Sequence, residues 1–287
     1  MLSIPSTCIF VTHTIAVSLL PSSPHTSAYD RRRITILGVP IDDLTADEAI
    51  TQIDAMIAAG GPHQLATVNP EFVIEAQANP AFRTALAEAD LATADGFGLI
   101  LAARYLGTPL RCRVTGVDLT KQLAGLCVAR GYRMFLLGAA PGVAAEAAEA
   151  LRSLHPGLIV AGTFAGSPHP RHEPFLRQMI AAARPHVLLV AYGHPQQEIW
   201  IARNQPALQV PLAIGVGGTL DYLSGRVPLA PALIRRAGLE WAYRLAHQPS
   251  RWRRIINAVP RFAWRVISQG SRASRQPKPN GHPESEA

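Results

Sequence analysis

The sequence predicts an α/β protein: a mostly parallel sheet flanked by helices, followed by a basic helical C-terminal appendage. Three observations predict it. Short apolar runs at residues 134–137, 158–164 and 186–192 alternate with helical patterns, and such alternation implies parallel strands covered by helices. Glycine-rich turns, at Gly138 to Gly142 and at Gly193, lead from runs into helices. From Pro228 onward the chain turns basic, with Arg235, Arg236, Arg244, Arg251, Arg253, Arg254, Arg261 and Arg265 opposed only by Glu240.

The ordered body is expected to start at Arg33. Residues 34–41 read as a strand and turn. Thr45 with Glu48 three residues on forms a capping box for a helix through Ile57. Residues 64–68 are a short strand. Residues 70–77 and 80–89 are expected to be helical, each opening on a proline suited to a first helical turn. Residues 91–94 are strand-like and stop at Asp95-Gly96. In the second half, residues 134–137 form a strand, and an alanine-rich helix follows the turn and ends near Leu154. A strand over 158–164, a helix over 174–183, a strand over 186–192, a helix over 196–204 and a strand over 211–216 complete the pattern.

Beyond Trp252, the residues Ile255, Ile256, Val259, Phe262, Ala263, Val266 and Ile267 keep helical spacing with it on one face. Arg253, Arg254, Arg261 and Arg265 fall elsewhere, and Pro260 is expected to kink the helix. A basic amphipathic helix of this kind suits an anionic membrane surface. The alternative is a helix packed on its own domain with solvated arginines opposite. The division expected is therefore 1–32, a disordered extension; 33–227, a Rossmann-like domain; 228–269, the basic appendage; and 270–287, a disordered tail rich in Pro, Ser and charge. The apolar stretch from Thr7 to Leu20 is too short to span a bilayer and lacks a preceding positive cluster.

With 287 residues and 48% hydrophobic content, the chain can bury a substantial core. Its net charge of +7 points to nucleic acid, anionic lipid or phosphate-bearing substrates. Nucleic acid is disfavoured: aromatics are 6% of the chain, and the arginines flank an apolar face instead of lining a groove with stacking rings. Cys8, Cys112 and Cys127 form no Cys-x-x-Cys, which argues against disulfides or a zinc site and fits a reducing cytosol. His169 and His172 sit in a proline-rich loop without neighbouring ligands. A Rossmann-type oxidoreductase would need Gly-x-Gly-x-x-Gly after the first strand, and Gly138-Ala-Ala-Pro-Gly142 does not supply it.

Several motifs occur in order. They are Thr67-Val-Asn69-Pro-Glu71, Ala89-Asp-Leu-Ala-Thr-Ala-Asp95-Gly96-Phe-Gly98 and Gly193-His-Pro-Gln-Gln-Glu198. Gly215-Val-Gly-Gly218-Thr-Leu-Asp221 and Gly238-Leu-Glu-Trp241-Ala-Tyr-Arg244 follow. In that order and spacing, the chain from about Ile34 to Arg254 resembles the WecG/TagA/CpsF glycosyltransferases (glycosyltransferase family 26). The resemblance implies a Rossmann-like protein with a C-terminal appendage, working at the cytoplasmic face of the membrane. It implies transfer of a sugar from a UDP-sugar to a lipid-linked saccharide, with inversion and without a cofactor or required metal. N-acetylmannosamine, its uronic acid and glucose are all donors within the resemblance, and a homo-oligomer stays open. The sequence shows no Asp-x-Asp near a strand end, so the common metal–diphosphate clamp is not apparent.

The resemblance makes Asp95 the catalytic base, beside Gly96 at a strand end; an Asp-Gly turn is the plain alternative. It makes Thr67 and Asn69 pocket residues that bond the donor sugar or Asp95, although Asn69 before Pro70 also suits a helix cap. Gln197 matches a donor-binding glutamine. Gln196 departs from the family's usual lysine, which removes a charge beside the expected diphosphate. Gly96, Gly138, Gly193, Gly217 and Gly218 would let a nucleotide approach the backbone. Asp221 orients the nucleotide or caps a helix. Arg244, Arg251 and Arg254 match basic appendage positions that hold diphosphate oxygens or lipid headgroups.

Overall fold

The computed structural model describes residues 31–231, 233–234, 240–247 and 252–273. The expectations for residues 1–30 and 274–287 and for Arg251 lie outside the described residues.

The first strands are β1 (Arg33–Ile36) and β2 (Val39–Asp42), an antiparallel hairpin with Ile34 opposite Ile41. The single strand and turn expected from the sequence is therefore two strands. The turn between them holds Leu37 at φ 49° and Gly38 at φ 81°, a pair of positive angles that favours a two-residue hairpin. Helix α1 (Ala46–Ala59) starts on the expected capping box, both halves of which form.

Strand β3 (His63–Val68) is followed by α2 (Pro70–Ala78) and α3 (Pro80–Ala87), then by β4 (Leu91–Ala94). Both helices start on an asparagine whose side chain accepts the N–H of the third helical residue, with proline first. Two helices not marked by the sequence pattern come next, α4 (Phe97–Tyr105) and α5 (Gly116–Arg130). The rest alternates as expected: β5 (Arg133–Gly138), α6 (Val143–Leu154), β6 (Ile159–Phe164), α7 (Glu173–Ala183), β7 (Val187–Ala191), α8 (Gln196–Leu208), β8 (Leu212–Gly215) and the short α9 (Thr219–Leu223). Helix α8 runs past the expected end at Asn204 and takes in Pro206. Two further helices follow, α10 (Glu240–His247) and α11 (Trp252–Ala273).

The six strands from β3 to β8 form one parallel sheet in the order β4-β3-β8-β7-β5-β6. Side chains alternate between its faces, as a period of two requires. Leu65, Leu91, Met134, Leu136, Leu189 and Ile214 face a core built with α1, α5, α6 and α9. Ala66, Val68, Ala92 and Ala94 face α2, α3 and α4. Phe135, Leu137, Leu188 and Val190 face α7 and α8. Each fully buried aliphatic side chain contributes about 1.5–3 kcal/mol of burial free energy.

The apolar face expected for α11 is divided. Ala258, Phe262 and Val266 are buried, and the last two join the core of the hairpin and α2–α4. Val259, Ala263 and Ile267 stay exposed, as does Trp264. The helix continues through Pro260. The packed-helix alternative thus holds for one stripe, and an apolar stripe remains outside.

The hairpin covers the β4 side of the sheet, and a buried carboxylate fixes it there. The Asp42 carboxylate accepts from Arg33 Nε at 2.7 Å, from Arg31 Nε at 2.8 Å and from the Ala92 N–H at 2.8 Å. Burial pushes this carboxyl up, but Arg33, the Ala92 N–H and Arg31 outweigh it and hold it below its ordinary value of 3.8. A depressed carboxyl adds stability that is present above that value and lost as pH falls through the folded-state value. Asp42→Asn should cost about 2 kcal/mol at pH 7 by leaving charged donors short of an acceptor. It should also flatten the acid limb below pH ~4 in thermal melts across pH.

Candidate active site

The order of the strands creates the site. β3 and β8 are neighbours, yet α2 leaves β3 toward one face and α9 leaves β8 toward the other. Such a divergence opens a crevice at the carboxyl ends of the strands. Here it is a cleft enclosing about 800 Å³, open solvent at its mouth included. Thr67 and Asn69 enter it from β3, with Glu71 and Phe72 from the first turn of α2. Asp95 enters from the end of β4, and Thr115 and Val117 from the start of α5. Gly193, His194 and Gln197 follow β7; Val216, Gly217, Gly218 and Thr219 follow β8; Leu229 and Glu240 close the far side.

Asp95 is half-buried, with Oδ2 accepting the Gly116 N–H at 3.1 Å. That bond ties its carboxylate to the N-terminus of α5, where the helix end favours negative charge. The Thr67 hydroxyl is buried and donates to the Gly215 carbonyl at 3.2 Å. Asn69 caps α2, its Oδ1 accepting the Phe72 N–H at 3.1 Å, and also lines the cleft. Both readings of Asn69 therefore hold in part: it is a cap and a cleft residue.

Gln197 is 1% exposed. Its Oε1 accepts the Gly193 N–H at 3.0 Å and the Gly217 N–H at 2.9 Å, and its Nε2 donates to Glu198 Oε1 at 2.7 Å. The amide expected to meet the donor thus fastens the loop after β7 to the loop after β8. Glu198 is fully buried, and burial, only partly offset by the Gln197 amide, pushes its carboxyl up to about 8.

Of the other expected site residues, Gly193, Gly217 and Gly218 line the cleft, while four do not. Gly138 is buried under the β7 backbone: a Cβ there, at φ 104°, would lie 2.7 Å from the Ala191 carbonyl carbon. The glycine serves strand packing, which explains a turn that resembles a phosphate loop. Gln196 is exposed at the first position of α8, while Gln197 beside it is buried. Gly96 forms the turn from β4 into α4, beside Pro70. Asp221 lies in α9, near Arg226, and its carbonyl accepts the Val227 N–H. Arg244 and Arg254 lie in α10 and α11, and only their backbones are described.

Several cleft residues escaped the sequence reading. Glu71 stood inside a quoted motif without a role, and His194 Nε2 lies 3.5 Å from its Oε2, with the ring packed on Phe72 at 4.8 Å. Arg113 Nη1 meets Glu240 Oε2 at 3.1 Å, which joins the segment before α5 to α10 at the cleft's edge. Thr115 caps α5 through the Asp118 N–H, and a Thr followed three residues later by Asp was the available signal.

An open parallel sheet with a polar crevice at its switch point defines a ligand-binding α/β protein. Its sequence places it further: residues 34–276 match the model of the glycosyl transferase WecG/TagA/CpsF family, and the chain belongs to that family and is a glycosyltransferase. It is similar to an N-acetylglucosaminyldiphosphoundecaprenol N-acetyl-beta-D-mannosaminyltransferase of Bacillus spizizenii, 36% identical over 217 residues, or 76% of this chain and 83% of the relative. The protein of the same name in Bacillus subtilis is 32% identical over 216 residues, 75% and 83% of the two chains. That in Staphylococcus aureus is 29% identical over 238 residues, 82% and 92%. No described helix is long and apolar enough to cross a membrane.

Glu198 gives the site a signature in stability. Below pH 4.5 the carboxyl is protonated in both states; between there and about 8 the unfolded chain ionises first. Stability is therefore lost as pH rises through that window. Glu198→Gln removes the titration, so its melting temperature should fall less between pH 5 and 8 than that of the unaltered protein, and exceed it at pH 8.

Proposed function

We propose that this protein transfers an N-acetylmannosamine-type sugar from a UDP-sugar to N-acetylglucosamine on a polyprenyl diphosphate, in the synthesis of a bacterial cell-surface polysaccharide. The relatives' names support this acceptor, and favour that sugar over its uronic acid or glucose. The observation that carries the chemistry is Asp95, a half-buried carboxylate that lines the cleft at the carboxyl end of β4 with Thr67 and Asn69.

Asp95 takes the proton of the acceptor hydroxyl as that oxygen attacks the anomeric carbon. The attack comes from the face opposite the departing diphosphate, the bond from carbon to the diphosphate oxygen breaks, and the configuration inverts. The leaving diphosphate needs positive charge or aligned N–H groups. The described cleft residues include the carboxylates Asp95, Glu71 and Glu240 but no arginine or lysine. This reading assigns the cations to the appendage, where Arg244, Arg251 and Arg254 would serve in place of a divalent cation, with the Gly218 N–H assisting. Thr67 holds the β8 loop through Gly215, and Asn69 supplies a polar edge for the sugar.

The same reading puts the protein on the inner face of the cell membrane. Trp264 is 72% exposed on α11, with Val259 and Ile267 also outward and Arg261 and Arg265 on the same helix. Aromatic and aliphatic side chains beside arginines suit an anionic lipid interface.

Transfer is tested with purified protein, UDP-N-acetylmannosamine and a polyprenyl-diphosphate-linked N-acetylglucosamine, read by product mass. Asp95→Asn should lower kcat by about 10²–10⁴-fold, the range for loss of a general base, with the melting temperature little changed. Near-normal turnover by that variant would remove Asp95 as the base. Trp264→Glu should weaken co-sedimentation with anionic vesicles while leaving turnover of a short-chain soluble acceptor intact; unchanged sedimentation would count against the membrane contact.

A further inference from the structure

Glu198 is buried at a cost that the fold alone does not explain. Its Oε2 has no hydrogen-bond partner among the described residues. An apolar side chain of similar size avoids that penalty, so a carboxyl kept in such a place calls for a reason beyond packing.

Its other oxygen supplies one. The Gln197 amide has two unlike ends: the oxygen accepts and the NH₂ donates. The Gly193 and Gly217 N–H groups both need the oxygen end. Turned over, the amide would set its own hydrogens against two more donors. Glu198 Oε1, 2.7 Å from Nε2, accepts from the NH₂ end and so fixes which way round the amide sits. A protonated carboxyl still offers that acceptor oxygen, in keeping with its burial.

The pair fits against a strand that leaves it room. A Cβ on Gly215 would lie 2.3 Å from Glu198 Oε1 and 2.7 Å from Gln197 Nε2. The Gly215 carbonyl in turn accepts from Thr67 Oγ1. Behind the pair, Gln64 Nε2 donates to the Glu198 carbonyl at 3.2 Å. Thr67, Gly193, Gln197 and Gly217, all cleft residues, are thereby linked through one buried unit.

We propose that Glu198 is a positioning residue for sugar transfer: it orients the Gln197 amide, which sets the spacing of the Gly193 and Gly217 loops along the donor side of the cleft. The assignment rests on the function proposed above. It predicts a role that is lost when the acceptor oxygen is lost and kept when that oxygen is kept.

The experiment compares Glu198→Gln with Glu198→Met in the full chain. Glu198→Gln should stay within about threefold of the unaltered protein, since the acceptor oxygen remains, whereas Glu198→Met should raise the KM for UDP-sugar by about tenfold or more, with a smaller effect on kcat, the scale expected of a small displacement at a binding site. The Met variant should melt no lower than the unaltered protein. A Met variant with an unchanged donor KM, or a Gln variant as impaired as the Met variant, overturns the assignment. If Glu198→Met does not fold, Gln197→Glu replaces it: its donor KM should climb as pH rises and the proton shared by the two carboxyls is lost, and adding Glu198→Gln, which restores a donor–acceptor pair in reverse, should remove that climb. Failure of that rescue overturns the assignment equally. Should the unaltered protein turn over no donor, the function reading fails by itself, and calorimetric affinity for UDP carries the same comparison among the variants.

Discussion

The ladder between β3 and β8 joins the two halves of the sheet. β3 and β4 come early in the chain and β5 to β8 later, and between them the sheet has that one seam, with His63 opposite Leu212 and Ala66 opposite Gly215. Everything at the cleft depends on its register. Thr67 and Asp95 arrive from one side, Gln197 and Gly217 from the other. A slip of one residue would exchange the faces of β3. Thr67 would then turn away from Gly215, and Ala66 would take a place meant for a hydroxyl. Full burial on both faces guards against this, because Leu65 and Ala66 belong to different cores with different volumes.

A parallel sheet gathers the beginnings of its helices at one edge, and this protein uses that edge in two ways. Helices α2 and α5 open beside the cleft and favour negative charge there. The side chains contributed by the same edge include two carboxylates, Glu71 and Asp95. The described cleft is therefore suited to hold and use a carboxylate, and its lining includes no arginine or lysine. On the proposed reading, the proton falls to the sheet and the phosphate charge to the basic segment beyond it. The Arg113–Glu240 ion pair is one described point where the two meet, at the cleft's edge.

Much of this was legible in the sequence, for identifiable reasons. Buried strands announce themselves as short apolar runs, so β3, β4, β5 and β7 fall within a residue or two of expectation. Helices α2 and α3 carry an Asn-Pro start that local chemistry nearly dictates. Helix α4 begins on a glycine with no side-chain cap, and α5 buries residues on several sides, so neither shows a clean polar stripe. The hairpin hid because its turn uses leucine where asparagine is usual. Periodicity found the apolar face of α11 but could not divide it between core and solvent, since α2 and α4 set how wide a stripe is covered. At the site, Asp95 was legible from its strand end and motif. Gln196, Gln197 and Glu198 look alike in sequence, whereas the structure puts the first in solvent and buries the other two. Gly138 misled because a glycine needed for close strand packing has the same signature as one that cradles a phosphate.

Phe262 and Val266 close the core that the hairpin and α2–α4 begin some two hundred residues earlier, and Gln269 accepts the Leu37 N–H at the hairpin's tip. During synthesis, the first half of the protein must wait with an open apolar seam until α11 clears the ribosome. An incomplete chain therefore carries an exposed surface that invites chaperones or proteolysis. Closure of this core is thereby tied to translation having passed α11, so a product that stops short of that helix lacks a finished fold.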